Sequence, residues 1–431
     1  MHLTIEKSVY GGDGLGRLPG DEHGRGKAVF VPFVLEGEKI EASLLEEKRG
    51  FARARADKII EPSPHRIEPQ CPYFYSCGGC HYQHADYEHQ LEIKAGILKE
   101  NLRRIAKVEL ATDLVIHPSP PWNYRNRTRF KVQLEPEFAL GYYKFNSHDL
   151  LPVEQCPISS PLINQALAAL WQTGRAGNLA HEVQEIELFA NAEDEKLLVE
   201  VYCAPETSAD SASQLSAALK TAISQAAGVV IFKRDSRNQT ASPEAAAKLG
   251  AAEISYRTRH CSFRVSAGAF FQVNRFLNDE LVDIVAQHQS GGMALDLYAG
   301  VGLFSAALSQ TFAQVIAVES SPTSHADLLY NSQSNVRAVH TTTDQFLKNR
   351  ARKLRPDLVV VDPPRGGLGE VVVRSLGVSG ARQVTYVSCD PATLSRDLAG
   401  LLSAGYHIRQ AHVVDLFPQT YHVESVFQLT L

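Results

Sequence analysis

Met293-Ala294-Leu295-Asp296-Leu297-Tyr298-Ala299-Gly300-Val301-Gly302 is the stretch on which the fold turns. Its first five residues read as an apolar strand, Ala299-Gly300-Val301-Gly302 as a glycine turn, and residues 303–308 as the start of a helix. That unit lets a backbone approach a charged ligand at a helix N-terminus. A second strand, 315–318, ends in Glu319, a carboxylate suited to accept hydrogen bonds from the paired hydroxyls of a ribose. A third, 358–361, ends in Asp362-Pro363-Pro364-Arg365-Gly366-Gly367. Strands alternating with helical patterns from 293 to 402 predict an α/β domain with a parallel sheet covered on both faces. Ligands then sit outside the carboxyl ends of the strands, where these motifs fall. The bland alternative is a glycine turn that only permits helix–strand packing.

Further along, Tyr386-Val387-Ser388-Cys389-Asp390-Pro391 places a cysteine at the end of an apolar strand and just before a helix start with proline in its first turn. Unsatisfied backbone N–H groups and the positive end of the helix dipole are expected to favour thiolate over thiol there. Glu424, in Asp415-Leu416-Phe417-Pro418-Gln419-Thr420-Tyr421-His422-Val423-Glu424, precedes the last strand and is the candidate proton acceptor. Read alone, Cys389 could equally be a small buried hydrophobe and Glu424 a surface acid. The glycine turn departs from the dinucleotide pattern, since Ser305 stands in place of its third glycine. S-adenosylmethionine therefore fits better than a nicotinamide or flavin, because Asp-Pro-Pro after a later strand recurs in methyltransferases acting on nucleobases.

Taken together, 362–367, 384–393, 415–424 and Ser266-Ala267-Gly268-Ala269-Phe270-Phe271-Gln272-Val273-Asn274 resemble the RNA 5-methyluridine methyltransferase family. The resemblance implies a class I, Rossmann-like catalytic domain in which Gln272, Tyr298, Glu319 and Asp362 contact S-adenosylmethionine. It makes Cys389 the nucleophile and Glu424 the base. Leu303 stands where some members carry a small polar residue, so no contact is carried onto it; Asp344 matches only loosely as a partner for the adenine amine. The chemistry needs both groups. Carbon 5 of uracil is a poor nucleophile until a thiolate adds at carbon 6, and a base must then remove the carbon-5 proton before the thiolate can leave. Asp362 can position the ring and Arg365 can stabilise developing charge or hold a phosphate. Methylation of an exocyclic amine favours an aromatic residue after Pro363-Pro364; Arg365 and a cysteine candidate favour carbon methylation instead.

Cys71-Pro72-Tyr73-Phe74-Tyr75-Ser76-Cys77-Gly78-Gly79-Cys80 and, much later, Cys156-Pro157 carry four of the seven cysteines. No N-terminal apolar stretch points to secretion, so a metal site is preferred to disulfides. Spacing leaves iron–sulfur and zinc nearly level, with His81 or His84 replacing Cys156 as a smaller alternative. The family resemblance implies a [4Fe-4S] cluster on Cys71, Cys77, Cys80 and Cys156. Cys203 and Cys261 read as core filling.

The 431 residues, 44% apolar, can bury two or three cores, and no run approaches membrane-spanning length. A net charge of −5 does not announce a nucleic-acid binder. Lys99, Arg103, Arg104 and Lys107, then Arg125, Arg127, Arg129 and Lys131 interleaved with Trp122, Tyr124 and Phe130, form a basic stretch. It reads as a solvated face or as an RNA contact, and alternation over 125–131 favours one charged strand face. Residues 1–60 predict an OB-like β-barrel, and Gly12-Asp13-Gly14-Leu15-Gly16-Arg17 resembles the start of a TRAM domain. Residues 61–264 predict an α+β central domain carrying the cysteine motif, with a strand pair at 186–189 and 197–201, an amphipathic helix from Tyr87 to Ile105, and alanine-rich helices at 209–227 and 241–252. Residues 265–431 predict the catalytic domain. The expected activity is methylation of uridine carbon 5 in structured RNA, ribosomal before transfer, in the cytoplasm, with no membrane association and no obligate protein partner. The alternatives are an RNA-binding iron–sulfur protein without catalysis and a methyltransferase for another RNA base.

Overall fold

The computed structural model describes residues 1–18, 20, 26–180, 182–234, 244–348 and 350–431. Five strands open the chain: β1 (His2–Ser8), β2 (Asp13–Arg17), β3 (Ala28–Pro32), β4 (Lys39–Glu47) and β5 (Phe51–Glu61). They close into a barrel in the order β1-β2-β3-β5-β4. Period-two alternation turns Leu3, Ile5, Val29, Val31, Ile40, Ala42, Ala52 and Ala54 into its interior. The bore is narrow. A Cβ on Gly14 would lie 2.5 Å from Val34 and 2.9 Å from Ile5, so only glycine fits there.

Helix α1 (Tyr87–Asn101) starts at Asp86, whose carboxylate accepts from the His89 amide, and runs into a short π-helical turn, Leu102–Ala106. Leu98 and Leu102 enter the same core as Leu394 and Leu398. Strand β6 (Leu114–His117) then pairs in parallel with a strand near the C-terminus. Residues 87–117 therefore lie against the C-terminal part in space, although they fall within 61–264 in sequence. The central sheet consists of β7 (Arg127–Gln133), β8 (Ala139–Tyr143), β9 (Leu150–Pro152), β10 (Val183–Ala190), β11 (Leu197–Cys203), β12 (Ala226–Lys233) and β13 (Glu244–Gly250), in the order β13-β12-β11-β10-β7-β8-β9. Helices α2 (Pro161–Arg175) and α3 (Ala209–Ala222) cover one face. The strand pair predicted at 186–189 and 197–201 is β10 with β11. Two helical readings are corrected. Helix α3 stops at Ala222, and of 241–252 the described part is mainly strand β13, with 241–243 outside the described residues. Alanine's helix propensity amounts to tenths of a kcal/mol per residue, which edge pairing along β12 outweighs.

A hairpin, β14 (Glu253–Arg257) and β15 (Ser262–Ser266), leads to α4 (Asn278–Ala286) and the last sheet. That sheet contains β16 (Gly291–Leu297), β17 (Phe312–Glu319), β18 (Val336–His340), β19 (Leu358–Val361), β20 (Gln383–Ser388), β21 (His407–Val414) and β22 (Glu424–Thr430). Helices α5 (Leu303–Leu308), α6 (Pro322–Asn331), α7 (Thr343–Lys348), α8 (Ala351–Leu354), α9 (Gly369–Gly377) and α10 (Pro391–Ser403) connect the strands. The order is β18-β17-β16-β19-β20-β22-β21-β6. The five strands from β18 to β20 are parallel, as expected, and carry cores on both faces. Beyond them β22 inserts antiparallel between β20 and β21, so the sheet is mixed rather than wholly parallel.

Candidate functional site

Strands β20 and β22 run antiparallel with Val387 opposite Val426 and Ser388 opposite Ser425. Ser388 opposite Ser425 is the last pair of that ladder; Cys389 directly follows the one and Glu424 directly precedes the other, close enough for the Glu424 charge to act on the Cys389 thiol. Both carboxyl and thiol lie at the carboxyl ends of the parallel strands, beside Asp362 at the end of β19. Burial pushes the Cys389 thiol up to about 12, reinforced by the negative charges of Glu424 and Asp362 and opposed by the Arg365 guanidinium. The expected helix-dipole activation is therefore not what the free chain displays. Asp390 also caps α10, its carboxylate accepting from the amides of Ala392 (3.1 Å) and Thr393 (2.8 Å), so those donors face a carboxylate already. Glu424 is buried and held well above the ordinary carboxylate range, first by desolvation and then by Asp362.

Further acids lie close to this pair. Asp362 is pushed up to about 7 by burial and by Asp296, and the Gln272 amide donates to it at 3.5 Å. Asp296, inside β16, rises to about 6 through burial, against a 2.5 Å hydrogen bond from Ser305, and its Oδ1 is buried without a partner. Glu319, at the end of β17, accepts from the Gly300 amide at 2.8 Å and the Ser321 amide at 2.6 Å, which ties the glycine turn to the next strand. Tyr298 itself takes a left-handed backbone, φ 64°, a strained conformation for a bulky residue and one common at ligand sites. Glu319 thus reaches the glycine turn that follows Tyr298, while Gln272 meets Asp362. Asp344 sits exposed on α7, and its carboxyl is held low by the Thr342 hydroxyl.

A cavity of about 980 Å³ lies next to the chamber, bordered by the barrel, the cysteine segment and the loop before β22. Cys71, Cys77, Cys80 and Cys156 all line it. All four are free thiols; burial pushes Cys71 up, Cys77 up to about 11 and Cys80 further, with the charge of Cys156 adding to each. Among the described residues no three of these sulfurs lie within 4.8 Å of one another. His81 lines the cavity too, its ring against Tyr421, whereas the buried His84 ring lies against Phe33 and Phe74.

The basic stretch is corrected. Arg127 pairs with Glu187 and Glu200, Arg129 with Glu187 and Glu185, and Lys131 with Glu185. Alternation along β7 did gather these cations on one face, but β10 and β11 answer them with carboxylates. Tyr124 and Phe130 are fully buried and present no ring for stacking. Arg125 borders the large cavity, and Lys99, Arg103, Arg104 and Lys107 stay exposed. Two site residues escaped the sequence reading. Asp296 was legible as an acid inside an apolar strand two residues before Tyr298. Tyr10, from the barrel, offered no signal, yet its hydroxyl reaches the Cys389 carbonyl at 3.4 Å and its ring meets Tyr421 edge-on at 5.4 Å.

The profile of the tRNA (uracil-5-)-methyltransferase family matches residues 86–430. An RNA methyltransferase of Aquifex aeolicus is 33% identical over 433 residues, covering 99% of this chain and 97% of the relative. The 23S rRNA (uracil(1939)-C(5))-methyltransferase RlmD of Pectobacterium atrosepticum is 32% identical over 412 residues, covering 93% and 88%. Among solved structures, the Pyrococcus abyssi tRNA (uracil-54, C5)-methyltransferase in complex with S-adenosyl-L-homocysteine superposes with a TM-score of 0.77 at 23% identity, over the full length of both chains.

Proposed function

Because the chain belongs to the tRNA (uracil-5-)-methyltransferase family, S-adenosylmethionine-dependent RNA methyltransferases, we propose that it methylates carbon 5 of a uridine in ribosomal RNA through a covalent Cys389–uracil adduct. The single observation that supports the covalent step is the β20–β22 register, which ends one residue short of both Cys389 and Glu424 and so brings the two near each other. S-adenosylmethionine supplies an electrophilic methyl group on a sulfonium. Gln272, Tyr298, Glu319 and Asp362 are the residues that would hold it, and a chamber of proton-retaining acids with an unpartnered Asp296 oxygen suits a cationic ligand. Cys389, as thiolate, bonds to carbon 6, and carbon 5 takes the methyl group. Glu424, as carboxylate, removes the carbon-5 proton; that electron pair restores the ring double bond and expels the thiolate. Burial and the neighbouring Asp362 raise the Glu424 carboxyl in the free chain, and positive charge brought beside it favours the ionised form the step requires. The target base must leave its stack to reach these groups.

Ribosomal RNA is preferred because the relative named for a 23S rRNA uracil is 32% identical across most of both chains. The barrel beside the chamber supports a role in holding that RNA, and a TRAM-like assignment accords with its closed five-strand form. For the cysteine quartet we favour [4Fe-4S] over zinc, supported by the four thiols on one cavity and their wide spacing. No helix among the described residues is long and apolar enough to cross a membrane, and a cytoplasmic enzyme accords with an RNA substrate. The deciding experiment compares nucleosides of rRNA and tRNA, by mass spectrometry, from cells with and without this chain. Loss of 5-methyluridine from rRNA alone is expected; loss from tRNA alone would move the target, and no loss would remove the activity. Anaerobic purification with iron and sulfide analysis tests the cluster, and stoichiometric zinc would overturn it.

A further inference from the structure

The loop that delivers Glu424, residues 415–423, is fastened almost entirely from outside its own sheet. Gln90 and Lys94 lie four residues apart on the buried face of α1, so both reach the same place. The Lys94 ammonium, fully buried, donates to Asp415 at 2.6 Å and to the Phe417 carbonyl at 2.9 Å. Gln90 makes a reciprocal pair with Gln419, its amide donating to Gln419 Oε1 at 3.0 Å and its oxygen accepting from the Gln419 amide at 3.0 Å. The Tyr124 hydroxyl donates to the Pro418 carbonyl at 3.0 Å. The Gln419 carbonyl accepts from the amides of His81 (2.8 Å) and Tyr82 (3.0 Å), the two residues directly after Cys80. These contacts hold Gln419 and its neighbours, and the Gln419 backbone sits in the left-handed region, φ 68°, which a non-glycine residue rarely adopts. A twist of that kind persists only where its surroundings enforce it. Five residues on, the chain enters β22 at Glu424.

We propose that Gln90 and Tyr124 are positioning residues for proton removal: by holding Pro418-Gln419 in its twisted form they set Glu424 opposite Cys389. The role rests on the covalent reading above. It predicts a specific failure. With Glu424 displaced, the thiolate can still add and carbon 5 can still be methylated, but the carbon-5 proton stays and the Cys389–carbon 6 bond cannot break.

The test uses the full-length protein, purified anaerobically, with unmodified transcribed 23S rRNA. Gln90→Met keeps side-chain length and removes the amide pair; Tyr124→Phe removes one hydrogen bond and keeps the ring. Each variant is first checked for an unchanged melting temperature and S-adenosylhomocysteine affinity, and Tyr124→Phe decides the matter if Gln90→Met does not fold. The expected result is a denaturant-resistant, methylated RNA–protein adduct on ordinary uridine, with kcat lower by roughly ten- to a hundredfold and KM little changed, the size associated with a misplacement near 1 Å. A folded variant whose adduct fraction matches wild type, whether turnover is normal or lost, overturns the positioning role. Wild type is run in parallel on 5-fluorouridine rRNA. Trapping there with no accumulation in the variants sinks the positioning alone, whereas no trapping sinks the covalent reading and the positioning with it.

Discussion

At the scale of single residues, the proposed mechanism makes the acids around Cys389 matter for both rate and stability. The proposed attack needs an ionised Cys389, and burial with two neighbouring carboxyls pushes that ionisation up to about 12. Adduct formation on 5-fluorouridine RNA should therefore climb with pH from neutrality well into the alkaline range; a plateau near neutrality would show another group in control. Cys389→Ala should abolish the adduct while S-adenosylhomocysteine binding, read by calorimetry, persists. Asp362 and Asp296 hold their protons to about 7 and about 6 in the folded chain, above the ordinary aspartate value of about 4. Groups raised in this way stabilise the fold in full below that ordinary value, and the benefit disappears as pH rises through 6 to 7. Without ligand, the melting temperature should fall between pH 5 and pH 8, and Asp362→Asn should flatten that fall.

Elements explain why a basic run that reads as an RNA contact is part of the scaffold. Strand β7 presents Arg127 and Arg129 to Glu187 and Glu200 on β10 and β11, where every partner is at least half buried. Without the Glu187 charge Arg127 keeps Glu200 and Arg129 keeps Glu185, so the loss is smaller than the roughly 3–5 kcal/mol of a buried charge left wholly unpaired. Glu187→Gln should lower the denaturation midpoint accordingly and leave the salt dependence of RNA binding unchanged, since that slope counts phosphate contacts. A reduced slope would return β7 to the RNA interface. Helix α1 teaches the same lesson. Its apolar stripe was legible at helical spacing, but the polar pair on its buried face, Gln90 and Lys94, is explained only by the loop it meets.

For the whole molecule, the site is assembled from segments far apart in sequence. Tyr10 from the barrel touches the Cys389 carbonyl, and the amides after Cys80 hold the loop that leads to Glu424. Tyr10→Ala should slow adduct formation severalfold at unchanged S-adenosylhomocysteine affinity; an unchanged rate would make the barrel a bystander at the reacting base. The sequence alone determined the local units: strand, glycine turn and helix at 293–308, the cysteine before a capped helix, the acid before the last strand, the clustered cysteines. Each is written in contiguous residues, because period, turn chemistry and capping act over a few positions. Only the tertiary structure decided what those units face. Insertion of β22 beside β20 brought Glu424 near Cys389, β10 and β11 neutralised the arginines of β7, and Asp390 took up the amides that a thiolate was expected to use. Such outcomes depend on burial and on charges brought near across hundreds of residues, and a desolvated group's behaviour follows from the neighbours the fold gives it.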